Sequence, residues 1–223
     1  MKKIILLLLL LAVNYNSFAV SKEDKERESS YLLQIKNEND SDAMFDLGLL
    51  YDEQEKYDLA EKYYLMAVKY NNGSAMTNLG LIYENQKKYD LAEKYYLMAV
   101  EEESDTGMYN LGLLYDNQKK YTLAEKYYLM AIQNNYSDAM YNLALLYDNQ
   151  EKFSLAEKYY LMAIKENDSD AMYNLALIYD NQKKYPLAEK YYLMAVEAND
   201  SDAAFNLALL YDNQKKYNLA EKY

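Results

Sequence analysis

The sequence contains no cysteine and no histidine, and only one proline and five glycines among its 223 residues. Without cysteine there is no disulfide, so packing alone must hold the fold together. Without histidine, the commonest general base and metal ligand is missing. The scarcity of proline and glycine argues against a coil-rich or many-stranded β architecture. A helical protein is therefore predicted.

An excess of positive charge is also absent. The chain has 36 acidic and 24 basic residues, which gives a formal net charge of −12. Nucleic acids and anionic lipid surfaces require clustered lysine and arginine, so neither is expected as a partner. Tyrosine, by contrast, occurs 29 times, while tryptophan does not occur. This bias indicates a repeated unit that uses tyrosine at fixed positions.

The N-terminus has the pattern of a signal peptide. Lys2 and Lys3 precede an unbroken apolar run over residues 4–13, and Ser17 and Ala19 provide small residues at a cleavage site. The run is too short for a membrane-spanning helix, which needs about 20 residues. Residues 1–19 are therefore predicted to be a signal peptide, and the protein to be exported to the periplasm or secreted. The alternative is an uncleaved membrane anchor.

The rest of the chain is an internal repeat. The sequence Leu-Ala-Glu-Lys-Tyr begins at residues 59, 91, 123, 155, 187 and 219, so that successive copies are always the same distance apart. A fixed period of about 20–50 residues, into which this spacing falls, is typical of stacked repeat proteins. The predicted units are 41–72, 73–104, 105–136, 137–168 and 169–200, with an incomplete unit at 201–223. Positions are numbered below from the first residue of each unit, so that Ser41 is position 1.

Each unit contains two apolar stretches with helical spacing, separated by a polar turn. In unit 137–168, the turn is the polar run from Asp148 to Lys152. A capping residue three places before a glutamate marks the expected start of most second helices. These capping residues are Asp58, Asp90, Thr122, Ser154 and Asn218; Pro186 stands in their place in the fifth unit, where a helix start accepts it. Each unit is thus predicted to be a helix pair.

The spacing within a unit resembles the tetratricopeptide repeat family. The first unit has Leu47, Gly48, Tyr51, Ala60, Tyr64 and Ala67 at the positions where that family places leucine, small residues and aromatics. The unit differs in being two residues shorter than that family's and in lacking the proline near its end, and the tandem is also similar to Sel1-like repeats. The resemblance implies an all-α, right-handed α-solenoid of antiparallel helix pairs (a superhelix). It further implies a protein-binding scaffold rather than an enzyme, with no cofactor.

The sequence also predicts how the repeat array begins and ends. Residues 20–40 are predicted to form an N-terminal capping helix, from Glu23 to about Lys36, and a linker; the alternative is a disordered linker. At the other end, the sequence stops within the second helix of its sixth unit. The sequence is therefore expected to be the repeat portion of a longer protein.

The resemblance places the binding groove on the first helix of each unit, at positions 5, 6, 9 and 12. Tyrosine and leucine would anchor a partner, and asparagine would both donate to and accept from a peptide backbone. Aspartate would favour a partner with basic as well as apolar residues. The candidate residues are Asn78, Asn110, Asn142, Asn174, Asn206, Tyr109, Tyr141, Tyr173, Leu113, Leu145, Leu177, Asp116, Asp148 and Asp180. The alternative interpretation is that these tyrosines and leucines mainly pack against the next repeat's first helix.

Other interpretations are less favoured by the residues. Leucine at position 25, away from the apolar stripe of the second helix, indicates either a second contact face or a broad apolar arc, and the arc is preferred. Catalysis needs a distinct, asymmetric constellation, whereas nearly every residue here has near-copies. The acidic turns around Asp168 and Asp170 lack the spacing of a calcium-binding loop, so no metal is expected. A self-assembling structural protein of the cell envelope remains an alternative function.

Overall fold

The computed structural model describes residues 21–223, so the predicted signal peptide lies outside the described residues. The described part contains thirteen α-helices and no β-strand. They are α1 (Lys22–Glu38), α2 (Ser41–Glu53), α3 (Tyr57–Val68), α4 (Gly73–Asn85), α5 (Tyr89–Glu101), α6 (Asp105–Asn117), α7 (Tyr121–Gln133), α8 (Asp138–Asp148), α9 (Phe153–Lys165), α10 (Ser169–Asn181), α11 (Tyr185–Glu197), α12 (Ser201–Asn213) and α13 (Tyr217–Ala220). Between residues 21 and 223, no helix is long and apolar enough to cross a membrane.

The helices belong to two compact parts, and the division falls within α6. We call the described residues up to 107 unit 1 and residues 108–223 unit 2, and from here on the sequence units are called repeats. In unit 1, α2 packs against α3 and α4 packs against α5. In unit 2, the same pairing joins α8 to α9 and α10 to α11. Because the connections are only a few residues long, paired helices run antiparallel. The predicted all-α architecture of helix pairs is confirmed in the described residues.

Every turn between helices contains one residue in the left-handed conformation. Glu55 (φ 58°) lies in the turn within the first repeat, and Asn71 (φ 59°) lies in the turn that follows that repeat. The same conformation returns at Lys87 and Glu103, so the backbone pattern recurs twice within each sequence repeat. Left-handed residues are a common way to end a helix, and asparagine tolerates the conformation better than lysine or glutamate.

The predicted capping of the second helices is wrong. These helices begin two residues earlier than expected: in the first repeat, Lys56 rather than Asp58 is the cap, without a side-chain hydrogen bond, and Tyr57 is the first helical residue. The Lys56 amide donates instead to the Tyr51 carbonyl oxygen at 2.8 Å, so the turn's own backbone sets the boundary. Asp58 then lies in the first turn, where a negative charge favours the helix dipole.

Side-chain capping occurs at the first helices, where the sequence analysis did not expect it. Asp40, Asn72, Asp168 and Asp200 precede α2, α4, α10 and α12, and each accepts a hydrogen bond from a backbone amide two or three residues ahead. The Asp168 carboxylate, for example, accepts from the Ala171 amide at 2.8 Å. The signal in the sequence is the aspartate or asparagine at the last position of most repeats.

The core of each repeat is a tyrosine held between two helices. The tyrosines at position 24, including Tyr64, Tyr96 and Tyr160, are completely buried. Gly48 and Gly80 leave room for this ring, because a Cβ at Gly80 would lie 2.3 Å from a ring carbon of Tyr96. The small residue at position 8 thus allows close approach of the paired helices.

A second tyrosine joins successive repeats. The Tyr83 hydroxyl donates to the Glu61 carboxylate of the preceding repeat at 2.6 Å, and Tyr179 donates in the same way to Glu157 at 2.8 Å. Tyr51 makes the corresponding bond to Glu28 of α1 at 2.7 Å. Helix α1 therefore occupies the place that the second helix of a preceding repeat would take.

Candidate functional site

In unit 2, the tyrosines at position 5 connect neighbouring repeats. The hydroxyls of Tyr109, Tyr141 and Tyr173 each accept a hydrogen bond from the asparagine 33 residues ahead, at 3.0, 3.1 and 3.0 Å. Their rings lean against the buried tyrosines of the same repeats, with centroids 6.1 to 6.2 Å apart. These tyrosines remain half-exposed. They pack against the next first helix, as the alternative interpretation expected, and still present part of each ring to solvent.

Three of the asparagines at position 6, all in unit 2, have no donor left for a partner. The Nδ2 atoms of Asn142, Asn174 and Asn206 also donate to a backbone carbonyl four residues earlier, at 2.9 to 3.0 Å. An amide nitrogen has two hydrogens, and both are used. The expectation that these three asparagines donate to a peptide backbone is therefore wrong, because the helix and the neighbouring tyrosine take both hydrogens. Only the Oδ1 atoms, which accept, remain available.

The aspartates at position 12 are partly desolvated and carry no ion pair. Burial raises the pKa of Asp116, Asp148 and Asp180. Hydrogen bonding from Tyr160 offsets part of this rise for Asp148, the Tyr160 hydroxyl lying 3.5 Å from Asp148 Oδ2. No salt bridge within residues 21–223 involves any of the three aspartates.

The remaining candidates share this face. Leu113, Leu145 and Leu177 are half-buried, and each follows the position-5 tyrosine of its helix by one turn. Asn110 is half-buried as well. The polar atoms that unit 2 offers beside its leucines and tyrosine rings are chiefly carboxylate and amide oxygens. We call the surface formed by positions 5, 6, 9 and 12 of the first helices in unit 2 the acceptor face.

Unit 1 differs because positions 45 and 77 are not tyrosine. Phe45 has no hydroxyl, and the Asn78 amide donates instead to the buried Tyr64 hydroxyl at 3.2 Å. Thr77 is buried, and its hydroxyl donates to the Gly73 carbonyl oxygen at 3.0 Å. The bridge between tyrosine and asparagine described for unit 2 does not form at Asn78.

A cleft of about 470 Å³ lies between the first two repeats in unit 1. Asp52 and Tyr57 line it from the first repeat, and Asn78 and Leu81 line it from the second. Asn78 is among the residues predicted from the sequence, whereas Tyr57, which is 55% exposed, is not. The signal was an aromatic residue at position 17 of every repeat. These residues are Tyr57, Tyr89, Tyr121, Phe153, Tyr185 and Tyr217.

Two lysines in each complete repeat lie over tyrosine rings of the helix pair. In the fourth repeat, the Lys152 ammonium lies 5.6 Å from the Tyr147 ring centroid and that of Lys158 lies 4.7 Å from Tyr159, while the two rings stack 5.7 Å apart. The same arrangement occurs in the other complete repeats. Cation–π contacts of this kind hold the lysines against tyrosines of the helix pair. None of these lysines forms a salt bridge with Asp116, Asp148 or Asp180.

Two other features of the sequence have structural counterparts. The leucines at position 25, such as Leu97 and Leu161, are half-buried, which fits the broad apolar arc. In the part of the chain that the structure describes, no group of acidic side chains is arranged to hold a metal ion.

The chain belongs to the tetratricopeptide repeat family. One tetratricopeptide repeat model matches residues 45–107 and 141–204, which is more than half of the chain, and a second matches residues 105–136. A comparison with curated protein sequences found no match. Repeat proteins of this kind generally serve as protein–protein interaction scaffolds.

Solved structures show the same fold. A Sel1 repeat protein from Oxalobacter formigenes is 24% identical with a TM-score of 0.67, and the match covers 85% of this chain and 84% of that one. PilF of Pseudomonas aeruginosa is 19% identical with a TM-score of 0.68, covering 91% and 90%. The protective antigen c5321 of uropathogenic Escherichia coli, which displays an SLR fold, is 18% identical with a TM-score of 0.68, covering 85% and 49%. The predicted fold class, an all-α repeat solenoid, is confirmed.

Proposed function

We propose that the protein binds an extended or helical segment of another protein on the acceptor face, and that this segment carries basic and apolar residues. The observation that carries the proposal is the imbalance of the polar groups on this face. Its aspartates are partly desolvated and unneutralised, and the amide hydrogens of Asn142, Asn174 and Asn206 are already bonded. Acceptors without cations are best complemented by lysine or arginine.

The apolar part of the face supplies the contact area. Half-exposed tyrosine rings and leucines lie one helical turn apart on the same helices. Aromatic residues with few rotatable bonds lose little entropy on binding and often dominate interface energies. The tyrosines of this face are held further by the hydrogen bonds to the next repeat, so a partner would meet a pre-ordered surface.

The test is a selection of linear peptides from a random library on the immobilised protein. We expect the bound peptides to be enriched in basic and apolar residues. A triple variant with Asp116→Asn, Asp148→Asn and Asp180→Asn should lose the enrichment in basic residues, because the charge of the face is removed while its shape is kept. The control triple variant Glu151→Gln, Glu166→Gln and Glu197→Gln removes the same charge at exposed turn positions and should select the same peptides as the native protein. Identical selections from all three proteins would show the proposal to be wrong.

We also propose that the protein is exported, on the strength of the sequence pattern in residues 1–19 alone. The mass of the protein recovered from the cell envelope or the medium tests this. A chain that begins at Val20 is expected, and an intact Met1 would contradict the export signal.

A further inference from the structure

We propose that the cleft between the first two repeats of unit 1 is a pocket for an arginine side chain of the bound segment. This inference rests on the proposed function, because it concerns the same kind of basic and apolar segment and assigns one of its side chains to a cleft within unit 1. The cleft is large enough for a side chain and the backbone beside it, since ligand pockets of about 300–1,000 Å³ are usual.

The walls of the cleft provide negative charge and hydrogen-bond acceptors. The Asp52 carboxylate is half-buried and has no ion pair among residues 21–223. Asn78, Asn85 and Gln86 add three side-chain amides. No lysine or arginine is among the residues that line the cleft. A cationic side chain of a partner would neutralise the charge of Asp52.

The nearest lysine in sequence is already engaged. The Lys56 ammonium donates to the Gln54 amide oxygen at 2.8 Å and lies 5.6 Å from the Tyr51 ring centroid. Lys88, in the corresponding place of the second repeat, is held over Tyr83 at 5.6 Å. Neither lysine forms a salt bridge with Asp52, so the carboxylate stays available to a partner.

The shape of the acceptors favours arginine over lysine. A guanidinium group has five N–H donors in one plane, and it pairs with a carboxylate through two parallel hydrogen bonds. Its flat face stacks on an aromatic ring, and the exposed Tyr57 ring lines the same cleft as Asp52. The methylene groups of arginine can lie along Leu81 and Ile82. Lysine offers a single point charge and lacks the flat face.

The difference from unit 2 supports a distinct role for this cleft. In unit 2, both Nδ2 hydrogens of Asn142, Asn174 and Asn206 are bonded. Asn78 makes one such bond, to Tyr64, which leaves one hydrogen as well as its oxygen for the cleft. Asn78 can therefore accept from the guanidinium and donate to the backbone carbonyl of the segment that brings it.

The experiment measures binding of three versions of one basic and apolar peptide, taken from the selection described above, to the full-length protein by calorimetry. The versions carry arginine, lysine or citrulline at a single position; citrulline keeps the shape of arginine without its charge. The arginine peptide is expected to bind about tenfold more tightly than the citrulline peptide, and more tightly than the lysine peptide. The Asp52→Asn and Tyr57→Ala variants should remove this preference. The control variants Asp58→Asn and Tyr70→Ala, which change exposed residues outside the cleft, should keep it.

The outcomes separate the two proposals. Equal binding of the three peptides to the native protein, or a preference for arginine that persists in Asp52→Asn, would overturn the arginine pocket while leaving the acceptor face intact. Absence of binding by all three peptides would overturn both. Binding of free argininamide as tight as that of the peptide would identify a small-molecule site and would also contradict the proposal.

Discussion

Tyrosine performs different tasks according to its position in the repeat. At position 24 it fills the space between the paired helices and is fully buried, as Tyr160 is. At position 11 it bonds to a glutamate of the preceding repeat, as Tyr179 does to Glu157. At position 5 in unit 2 it bonds to an asparagine of the following repeat, as Tyr141 does to Asn174. Of these three positions, only position 5 leaves part of the ring exposed to a partner, while the exposed tyrosines at position 17, such as Tyr57, take no part in these three contacts.

Replacing Tyr160 with alanine tests the packing role. Removing a fully buried aromatic ring leaves a cavity, so we expect a loss of about 3–5 kcal/mol in the free energy of unfolding. Urea unfolding followed by circular dichroism measures this loss. The control Tyr89→Ala removes a ring that is 47% exposed and should cost much less. Equal losses for both variants would contradict the assignment of position 24 to the core.

At the scale of the helix, the turns determine the boundaries. Each turn closes through backbone hydrogen bonds around a left-handed residue, as in the bonds that the Glu151 and Lys152 amides donate to Asp148 and Tyr147 at 2.7 and 2.9 Å. The sequence could not show this, because glutamate and lysine at these positions give no signal of a left-handed conformation. The recurrence of the same backbone turn twice in each repeat is therefore visible only in the structure.

The replacement of Glu151 by glycine tests the strain in these turns. The left-handed conformation is unfavourable for residues with a Cβ and costs glycine nothing, so we expect a gain of about 1 kcal/mol in the free energy of unfolding. The control is Glu166→Gly, since Glu166 ends α9 with a φ of −89° and gains nothing from glycine. A stabilisation by Glu166→Gly equal to that by Glu151→Gly would contradict the explanation.

The helices themselves could be predicted because their apolar spacing is repeated many times. Leu47, Gly48 and Tyr51, which match the tetratricopeptide pattern, are buried in the structure. Hydrogen bonding between repeats was not predictable from the sequence. Whether the Asn142 amide faces a partner or the Tyr109 hydroxyl depends on how closely two first helices approach, which no spacing within one repeat reveals. The positions of the acceptor face were thus predicted from the sequence, while the bonding of the asparagine amide hydrogens within the protein emerged only from the structure.

For the molecule as a whole, the burial of many tyrosine side chains makes the folded state less stable at alkaline pH. Burial raises the pKa of Tyr64 and Tyr211 to about 12 from the ordinary value of 10.0, and it also raises the pKa of Tyr96, Tyr160 and Tyr192. Above pH 10 the unfolded chain releases these protons while the folded protein keeps them. Stability is therefore fully present below that pH and is lost as the pH rises towards the folded-state values.

The prediction is a free energy of unfolding that falls steeply above about pH 10. Urea unfolding at a series of pH values measures it, and tyrosinate absorbance should show late ionisation of the buried tyrosines, together with the loss of helix. Complete formation of tyrosinate near pH 10 in a chain that keeps its helical circular dichroism would contradict the buried positions assigned here.

The central claim is that the first helices of unit 2, rather than its second helices, bind the partner. A photoreactive amino acid at Leu145 on the acceptor face, or at Leu161 on the second helix, tests this directly when each protein is irradiated with a selected basic peptide. We predict a crosslink from position 145 that an excess of unlabelled peptide suppresses, and little from position 161. Efficient capture from position 161 with none from position 145 would contradict the claim.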